Sequence, residues 1–204
     1  MRFLNVTLGL IFISGLAFGQ TKNQQKELIN INQDQSFMDQ NNTDTVFTKT
    51  DLKFLKHCLD LAEEALKAGD QPFGSILVNE NNEIIAEARN RINEKNVLAH
   101  PEIELAEWAM ENLSLKERRQ TIMYTTGEHC PMCAGAHSWA QIGGLYYLSS
   151  AKQLGKWLNE FGVDPAPIVF IPADEIMRNV VVKGPAEGEI LNEIKQKHRQ
   201  YYKD

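Results

Sequence analysis

The sequence has few cysteines. Three occur in 204 residues, an odd count that excludes a framework in which every cysteine is paired in a disulfide. Cys58 lies in a stretch of helical periodicity, where a lone thiol is expected to be a small core residue. Cys130 and Cys133 are three positions apart, a spacing that suits either a metal site or a redox pair.

Long basic runs are also absent. The chain has 21 Lys and Arg against 27 Asp and Glu, a formal net charge of −6. An acidic domain repels phosphate backbones at long range, so no nucleic-acid partner is expected and there is room only for a local basic groove. With 43% hydrophobic and 24% charged residues, the composition is that of one globular domain with extensions at its ends.

The long apolar stretch of this chain lies at its amino terminus. Arg2 supplies a positive start, residues 4–18 are mostly apolar, and Ala17 and Gly19 are small residues at the positions that a signal peptidase reads. This pattern predicts a signal peptide over residues 1–19. The alternative is a hydrophobic first helix of the domain. The stretch is short and interrupted by Asn5 and Thr7, and no cysteine follows the cleavage site, so no stable membrane or lipid anchor is expected. With a genuine signal the protein is exported, periplasmic or secreted; without one it is cytoplasmic.

The next segment, residues 20–45, is rich in Asn and Gln and poor in large apolar residues. Such a segment cannot bury enough apolar surface to offset the entropy of ordering, so it predicts a flexible linker. The folded domain is therefore predicted to span residues 46–204.

Periodicity within this domain predicts alternating helices and strands. In chain order these are a helix over 48–69, a strand over 73–78, an Asn-rich turn, a strand over 83–88, a helix over 101–113, a strand over 121–125, a helix over 131–141, a strand over 145–148, a helix over 152–160, a strand over 167–171 and a helix over 187–202. Strands that alternate with helices predict an α/β layered domain with crossover connections.

Two short motifs concentrate chemically active side chains at predicted helix starts. One is His100-Pro101-Glu102, and the other is Cys130-Pro131-Met132-Cys133. One imidazole and two thiols suit a catalytic Zn²⁺ whose fourth position is open to water. Proline fits the first helical turn, and a helix N-terminus favours thiolates. Glu102, two residues past the imidazole, is placed to take a proton from that water and hand it to a leaving amine.

Other interpretations of these motifs remain open. Cys-x-x-Cys also occurs in thioredoxin-like redox proteins. A structural zinc site needs a fourth protein ligand, which His129 or His137 would supply. Glu102 can also serve only as an acid at a helix start, where negative charge is favourable.

His-x-Glu followed by Cys-Pro-x-Cys resembles the cytidine and deoxycytidylate deaminase superfamily. Residues 70–75, 84–91 and 128–136 are similar to its guanine deaminase and tRNA adenosine deaminase branch. The resemblance implies a three-layer α-β-α sandwich with a mixed five-stranded sheet, and a homodimer. It also implies a set of site residues: His100, Cys130 and Cys133 as Zn²⁺ ligands, Glu102 as the proton shuttle, and Asn90, Phe73 and Trp139 as substrate contacts.

The chain departs from the family pattern in three places. His129 stands where the family has proline, Pro101 replaces alanine, and the segment from Asn90 to His100 is one residue short and lacks Asp-Pro-Thr. For His129 a structural role is preferred over a spare ligand or a proton relay. Tyr201 and Tyr202 are candidates either for closing the pocket or for surface or dimer packing.

These observations predict hydrolytic deamination of a small heterocycle, a nucleobase or nucleoside, in purine metabolism. A guanine-like purine is the preferred substrate. The alternatives are editing of adenosine in tRNA, and a non-catalytic zinc-binding or redox module.

Overall fold

The computed structural model describes residues 47–203. The elements in this part of the chain are α1 (Lys49–Lys67), β1 (Gly74–Val78), β2 (Ile84–Arg89), α2 (Pro101–Asn112), α3 (Leu115–Gln120), β3 (Ile122–Gly127), α4 (Pro131–Ala140), β4 (Gly144–Ser149), α5 (Ala151–Phe161), α6 (Ala173–Ile176), β5 (Val181–Lys183) and α7 (Glu189–Lys203). Among the described residues no helix has the length and apolar character needed to cross a membrane. The predicted signal peptide (1–19) and linker (20–45) lie outside the described residues and stay predictions.

Helix α1 begins at a capping box. The Thr48 side chain accepts a hydrogen bond from the Asp51 backbone N–H, and the Asp51 carboxylate accepts one from the Thr48 backbone N–H at 2.8 Å. The buried face includes Leu55, Leu59 and Ala62. Leu52, in the first turn, is exposed.

The sheet is mixed and has the strand order β2-β1-β3-β4-β5. Strand β1 is antiparallel to both β2 and β3, whereas β3, β4 and β5 are parallel. Strands β2 and β3 therefore run in the same direction, and both end at the edge of the sheet where β1 begins. The helices that follow β2 and β3 start at that edge, so their N-termini are neighbours.

Helices cover both faces of the sheet. On one face α1, α5 and α7 pack around a core that includes Ile76, Tyr124, Leu148, Trp157 and Ile194. On the other, α2 and α4 pack against Leu77, Ala88 and Met123. Neighbouring residues of one strand point to opposite faces, which is why β1 is buried throughout. The predicted three-layer α-β-α sandwich with a mixed five-stranded sheet is confirmed.

The predicted strand over residues 167–171 is wrong. That segment forms no strand, and the fifth strand is Val181–Lys183. Pro165, Pro167 and Pro172 flank or interrupt the apolar run, and proline cannot donate to a strand ladder. The side of β4 where this run would pair is taken by β5, and Val169 is left 80% exposed. Helices α3 and α6, each six residues or shorter, were not predicted.

Replacement of two glycines by alanine is expected to change the free energy of unfolding in opposite directions. A Cβ at Gly143 would lie 2.0 Å from the Arg119 carbonyl oxygen, whereas one at Gly155, inside α5, meets nothing within 4 Å. We expect Gly143→Ala to lower the free energy of unfolding by about 3 kcal/mol through overpacking against the backbone. Gly155→Ala should raise it by about 0.5–1 kcal/mol, since alanine loses less entropy in a helix. Urea denaturation measures both, and a shift of the same sign in the two variants would contradict this account.

Candidate active site

Three potential metal ligands lie at the starts of two neighbouring helices. His100 is the N-cap residue of α2 and Cys130 that of α4, and neither side chain makes a capping hydrogen bond. Cys133 follows in the first turn of α4. The first helical residue after each cap is a proline, which has no N–H to leave unpaired. Because β2 and β3 end at the same sheet edge, the two helix starts bring the three side chains together.

The distances between the ligand atoms suit a tetrahedral zinc ion. The two Sγ atoms are 3.5 Å apart, and the His100 Nδ1 lies 3.5 Å from the Cys133 Sγ and 4.0 Å from the Cys130 Sγ. Tetrahedral coordination at normal bond lengths separates two sulfur ligands by ~3.8 Å and a sulfur from a nitrogen by ~3.6 Å. These three residues form the only cluster of potential metal ligands of this kind found among residues 47–203. The donor set and its spacing therefore fit Zn²⁺.

The titration behaviour of the cluster follows from its contacts. The hydrogen bond between the Cys130 and Cys133 sulfurs lowers the pKa of Cys130 to about 4 and raises the pKa of Cys133. The hydrogen bond between His100 and Cys130 raises the pKa of His100. Cysteine binds metals as the thiolate, so the low pKa of Cys130 favours metal binding.

Glu102 lies beside the cluster without being one of its three members. Its side chain is 5% exposed, and its Oε2 is 3.5 Å from the Cys133 Sγ. Its Oε1 accepts hydrogen bonds from the hydroxyls of Ser75 and Thr125. The carboxylate thus faces the metal ligands with one oxygen and the strands of the sheet with the other.

Asn90 and Phe73 lie at the same edge of the sheet, joined by a 2.9 Å hydrogen bond from the Asn90 backbone N–H to the Phe73 carbonyl oxygen. Asn90 is fully buried. Its Oδ1 accepts from the Ile92 backbone N–H at 3.2 Å, whereas its Nδ2 is buried with no partner among the described residues. The Asn90 amide therefore offers a hydrogen-bond donor.

The Phe73 ring is held between the end of β3 and α7. A Cβ at Gly127 would lie 2.9 Å from the ring, so only glycine leaves room for it there. The His198 ring of α7 also contacts it, with the two ring centroids 5.0 Å apart. Burial lowers the pKa of His198 to about 3, so this ring is neutral at physiological pH.

Trp139 is not gathered with these residues. It lies near the C-terminal end of α4, at the opposite end from the cysteines, and its side chain is 86% exposed. Its neighbours are Ile103 and Met110 of α2, which line an open groove with it. Its contact with a substrate stays a prediction.

His129 is hydrogen-bonded to His137 of α4 and not to the metal ligands. The His129 Nε2 lies 3.1 Å from the His137 Nδ1, and the His137 Nε2 lies 3.2 Å from the Ile142 carbonyl oxygen. A carbonyl oxygen can only accept, so His137 donates to Ile142 and accepts from His129. Burial lowers the pKa of both imidazoles, to about 4 for His137. Either histidine could become a fourth zinc ligand only by leaving this pair.

A family model described as the cytidine and deoxycytidylate deaminase zinc-binding region matches residues 48–149, half of the chain. The chain belongs to the cytidine and deoxycytidylate deaminase family. Membership in this family, together with the His/Cys/Cys cluster, makes it a zinc-dependent hydrolytic deaminase.

Relatives within this deaminase family have different substrates in their names. The chain is 31% identical over 136 residues to a probable cytosine deaminase of Schizosaccharomyces pombe, covering 65% of this chain and 80% of the relative. It is 38% identical over 96 residues to guanine deaminase of Bacillus subtilis, covering 46% of this chain and 61% of that relative. It is 34% identical over 109 residues to tRNA-specific adenosine deaminase 2 of Danio rerio, covering 50% of this chain and 50% of that relative. The chain thus spans between half and four fifths of the length of these relatives.

A solved structure is similar to this chain in fold. A guanine deaminase from Nitrosomonas europaea is similar with a TM-score of 0.55 at 18% identity, covering 94% of this chain and 98% of that one. At this identity the likeness shows the deaminase fold alone.

Several residues at the deaminase site were not singled out from the sequence. Ser75 and Thr125 contact Glu102 from β1 and β3. The Glu128 carboxylate accepts from the backbone N–H groups of Ala151 and Ala173, at the starts of α5 and α6. A hydroxyl at a buried strand position close to a ligand motif is the one local signal that would have drawn attention to the first two.

The last helix contacts the loops that precede β1 and follow β2. The Tyr202 hydroxyl accepts from the Gln71 amide at 2.8 Å, and the Tyr201 hydroxyl accepts from the Asn93 amide at 3.0 Å. The two tyrosines, predicted either to close the pocket or to pack at the surface, thus connect α7 to the loops beside Phe73 and Asn90.

Proposed function

We propose that this chain catalyses the zinc-dependent hydrolytic deamination of a nucleobase or nucleoside, with a guanine-like purine preferred, and releases ammonia. The observation that carries the proposal is the position of the Glu102 carboxylate. It lies 3.5 Å from a sulfur of a cluster whose spacing suits tetrahedral zinc, and it is not itself a member of that cluster. A carboxylate in such a place is available for proton transfer and not for metal binding.

His100, Cys130 and Cys133 would hold the metal. When bound, zinc supplies a Lewis acid that lowers the pKa of a coordinated water toward neutrality. Glu102 accepts a proton from the attacking water at Oε2 as the water oxygen bonds to the ring carbon that bears the amine. The carboxyl group gives this proton to the adjacent ring nitrogen. It then transfers the second water proton to the amine, which leaves as ammonia.

The other residues at the sheet edge would bind and orient the ring. The free Asn90 Nδ2 donates to a substrate acceptor, because the Asn90 Oδ1 is already bonded to the Ile92 backbone. Phe73 contributes an aromatic surface for the ring to pack on. The N-terminus of α4 at Cys130 directs partial positive charge at the negative charge that develops on the reacting carbon's substituents.

Two observations support guanine as the first substrate to test. A relative 38% identical to this chain over 96 residues is named guanine deaminase. The guanine ring also offers acceptors, the O6 carbonyl and ring nitrogens, to the donor of Asn90. Cytosine is the next base to test, because the relative from Schizosaccharomyces pombe is named a probable cytosine deaminase.

Editing of adenosine in tRNA is the second candidate function, favoured by relatives named tRNA-specific adenosine deaminases. The formal net charge of −6 opposes it, since a polyanionic substrate is repelled over a long range by an acidic protein. A non-catalytic zinc-binding or redox module is the remaining alternative. The homodimer, the purine-metabolism role and export stay predictions.

Ammonia release by the zinc-loaded chain tests the proposal. We expect release from guanine, with one xanthine formed per ammonia, in a panel that also contains adenine, cytosine, the three corresponding nucleosides and a tRNA. A chelator should abolish the release and added Zn²⁺ should restore it, because activity depends on the metal.

Each other outcome of this panel points to a different function. Release from cytosine alone would exclude the purine preference. Inosine formation in tRNA alone would replace a small-molecule substrate by an editing function. If protein that retains zinc releases no ammonia from any member of the panel, the non-catalytic module is favoured.

A further inference from the structure

A triangle of buried oxygen atoms lies behind the site. The Ser75 Oγ is 3.1 Å from the Glu102 Oε1, the Thr125 Oγ1 is 3.0 Å from the same atom, and the two hydroxyls are 2.9 Å apart. Both hydroxyl residues are completely buried. They are direct cross-strand partners, Ser75 of β1 opposite Thr125 of β3, so the register of the sheet itself sets their separation.

Within the described residues, these hydroxyls are the hydrogen-bond donors to the Oε1 of Glu102. An ionised carboxylate can only accept, whereas each hydroxyl has one proton to donate. The hydrogen bonds therefore run from the strands to the carboxylate. The Oε2 has no strand donor and lies on the side of the Cys133 sulfur. The two oxygens of Glu102 thus have different surroundings.

Packing alone does not require hydroxyls at these two positions. On one side of each hydroxyl the next two strand residues, Ile76 and Leu77 of β1 and Met123 and Tyr124 of β3, are buried and mostly apolar. Burying a hydroxyl costs free energy unless it is hydrogen-bonded, and alanine and valine would occupy similar volumes without that cost. The contact that both hydroxyls make with the Glu102 carboxylate accounts for their presence at these positions.

We propose that Ser75 and Thr125 are positioning residues that hold the Oε1 of Glu102 and leave Oε2 as the oxygen that exchanges protons at the site. This inference rests on the proposed function, because it assigns the two residues to the orientation of the proposed acid-base group.

The physical basis is the softness of the carboxylate torsion. Rotation about the last bond of a glutamate side chain has a broad, roughly two-fold profile, so an unheld carboxylate samples many orientations. Two donors on one oxygen select one orientation before the substrate arrives. A group that is oriented in advance need not reorganise during the reaction.

The experiment compares Ser75→Ala, Thr125→Val and the double variant with the zinc-loaded wild-type chain. Thr121→Val and Ser149→Ala are the matched controls. Each removes a buried hydroxyl, just before β3 or at the end of β4, that bonds only a backbone carbonyl, that of Glu117 and of Thr126 respectively. Thr125→Ser and Ser75→Thr restore a hydroxyl at each position. The measurements are kcat, KM, zinc content and the crystal structure of the double variant.

We expect each single variant to lower kcat by about tenfold or more, and the double variant by about 100-fold, with KM changed by less than about threefold. Zinc content should remain at the wild-type level. The hydroxyl-restoring variants should recover most of kcat, and the controls should stay within about twofold of wild type. In the crystal structure of the double variant the Glu102 carboxylate should have rotated away from its wild-type orientation.

A double variant whose kcat stays within about twofold of wild type would overturn the inference, and so would a loss confined to KM or to zinc content. Should Thr125→Val fail to fold, Ser75→Ala with Ser75→Thr gives the same comparison. If the wild-type chain releases no ammonia at all, the proposed function fails and the positioning is judged from the crystal structures. A carboxylate that keeps its orientation without both hydroxyls then overturns the positioning by itself.

Discussion

Glu102→Gln is expected to lower kcat by about 10²–10⁴-fold, the range that general acid–base catalysis contributes, while zinc content stays at the wild-type level. A glutamine has nearly the same shape, and its carbonyl oxygen can still accept from Ser75 and Thr125. It cannot take a proton from water or give one to a leaving amine. Measuring kcat and metal stoichiometry on the same protein preparation separates the loss of chemistry from the loss of the metal.

Glu107→Gln is the matched control for this prediction, because Glu107 is an exposed carboxylate on the same helix α2. Its neutralisation should leave kcat unchanged. If Glu102→Gln keeps more than a tenth of the wild-type rate, the role of Glu102 as acid and base is wrong. If it loses zinc as well, the carboxylate supports the metal and its catalytic role needs a different test.

Cys133→Ala is expected to lower the zinc stoichiometry from about one per chain to near zero at moderate zinc concentration, and to abolish ammonia release. Mutation of a residue that hydrogen-bonds to a metal ligand typically lowers metal affinity by ~10–100-fold. Removal of one of the three protein ligands themselves should lower zinc affinity by more than that. Bound metal stabilises only the folded state, so zinc should raise the unfolding temperature of wild type and leave that of the variant unchanged.

The chain supplies a control thiol for this second prediction. Cys58 is as buried as Cys133 but lies in the core between α1 and the sheet. Cys58→Ala leaves a small cavity and should lower stability by about 1 kcal/mol, yet it should keep both zinc and activity. Zinc retained at wild-type affinity by Cys133→Ala would show that the metal ligands have been assigned wrongly.

The features predicted well from the sequence depend on interactions within one turn of a helix or one hairpin. The capping box at Thr48 and Asp51 joins residues three apart, and it begins α1 where expected. The helix starts after His100 and Cys130 were visible because proline at the first helical position is a local signal. The α/β sandwich followed from the alternation of such local elements.

The failures arose where pairing partners decide the structure. Residues 167–171 have the composition of a strand, but the place beside β4 belongs to Val181–Lys183. An apolar run cannot reveal that another segment will occupy its place in the sheet.

The sequence by itself determined which side chains are available for the chemistry and at which helix starts they stand. Only the tertiary structure decided what surrounds the proposed acid-base group. Ser75 and Thr125 are 27 and 23 residues from Glu102, and 50 residues from each other. Nothing in the local pattern of either strand indicates this meeting, because it results from the register of β1 against β3 and from the way α2 packs on the sheet. A contact between distant segments depends on the free energy of the whole fold, and for that reason it could not be predicted from any one segment.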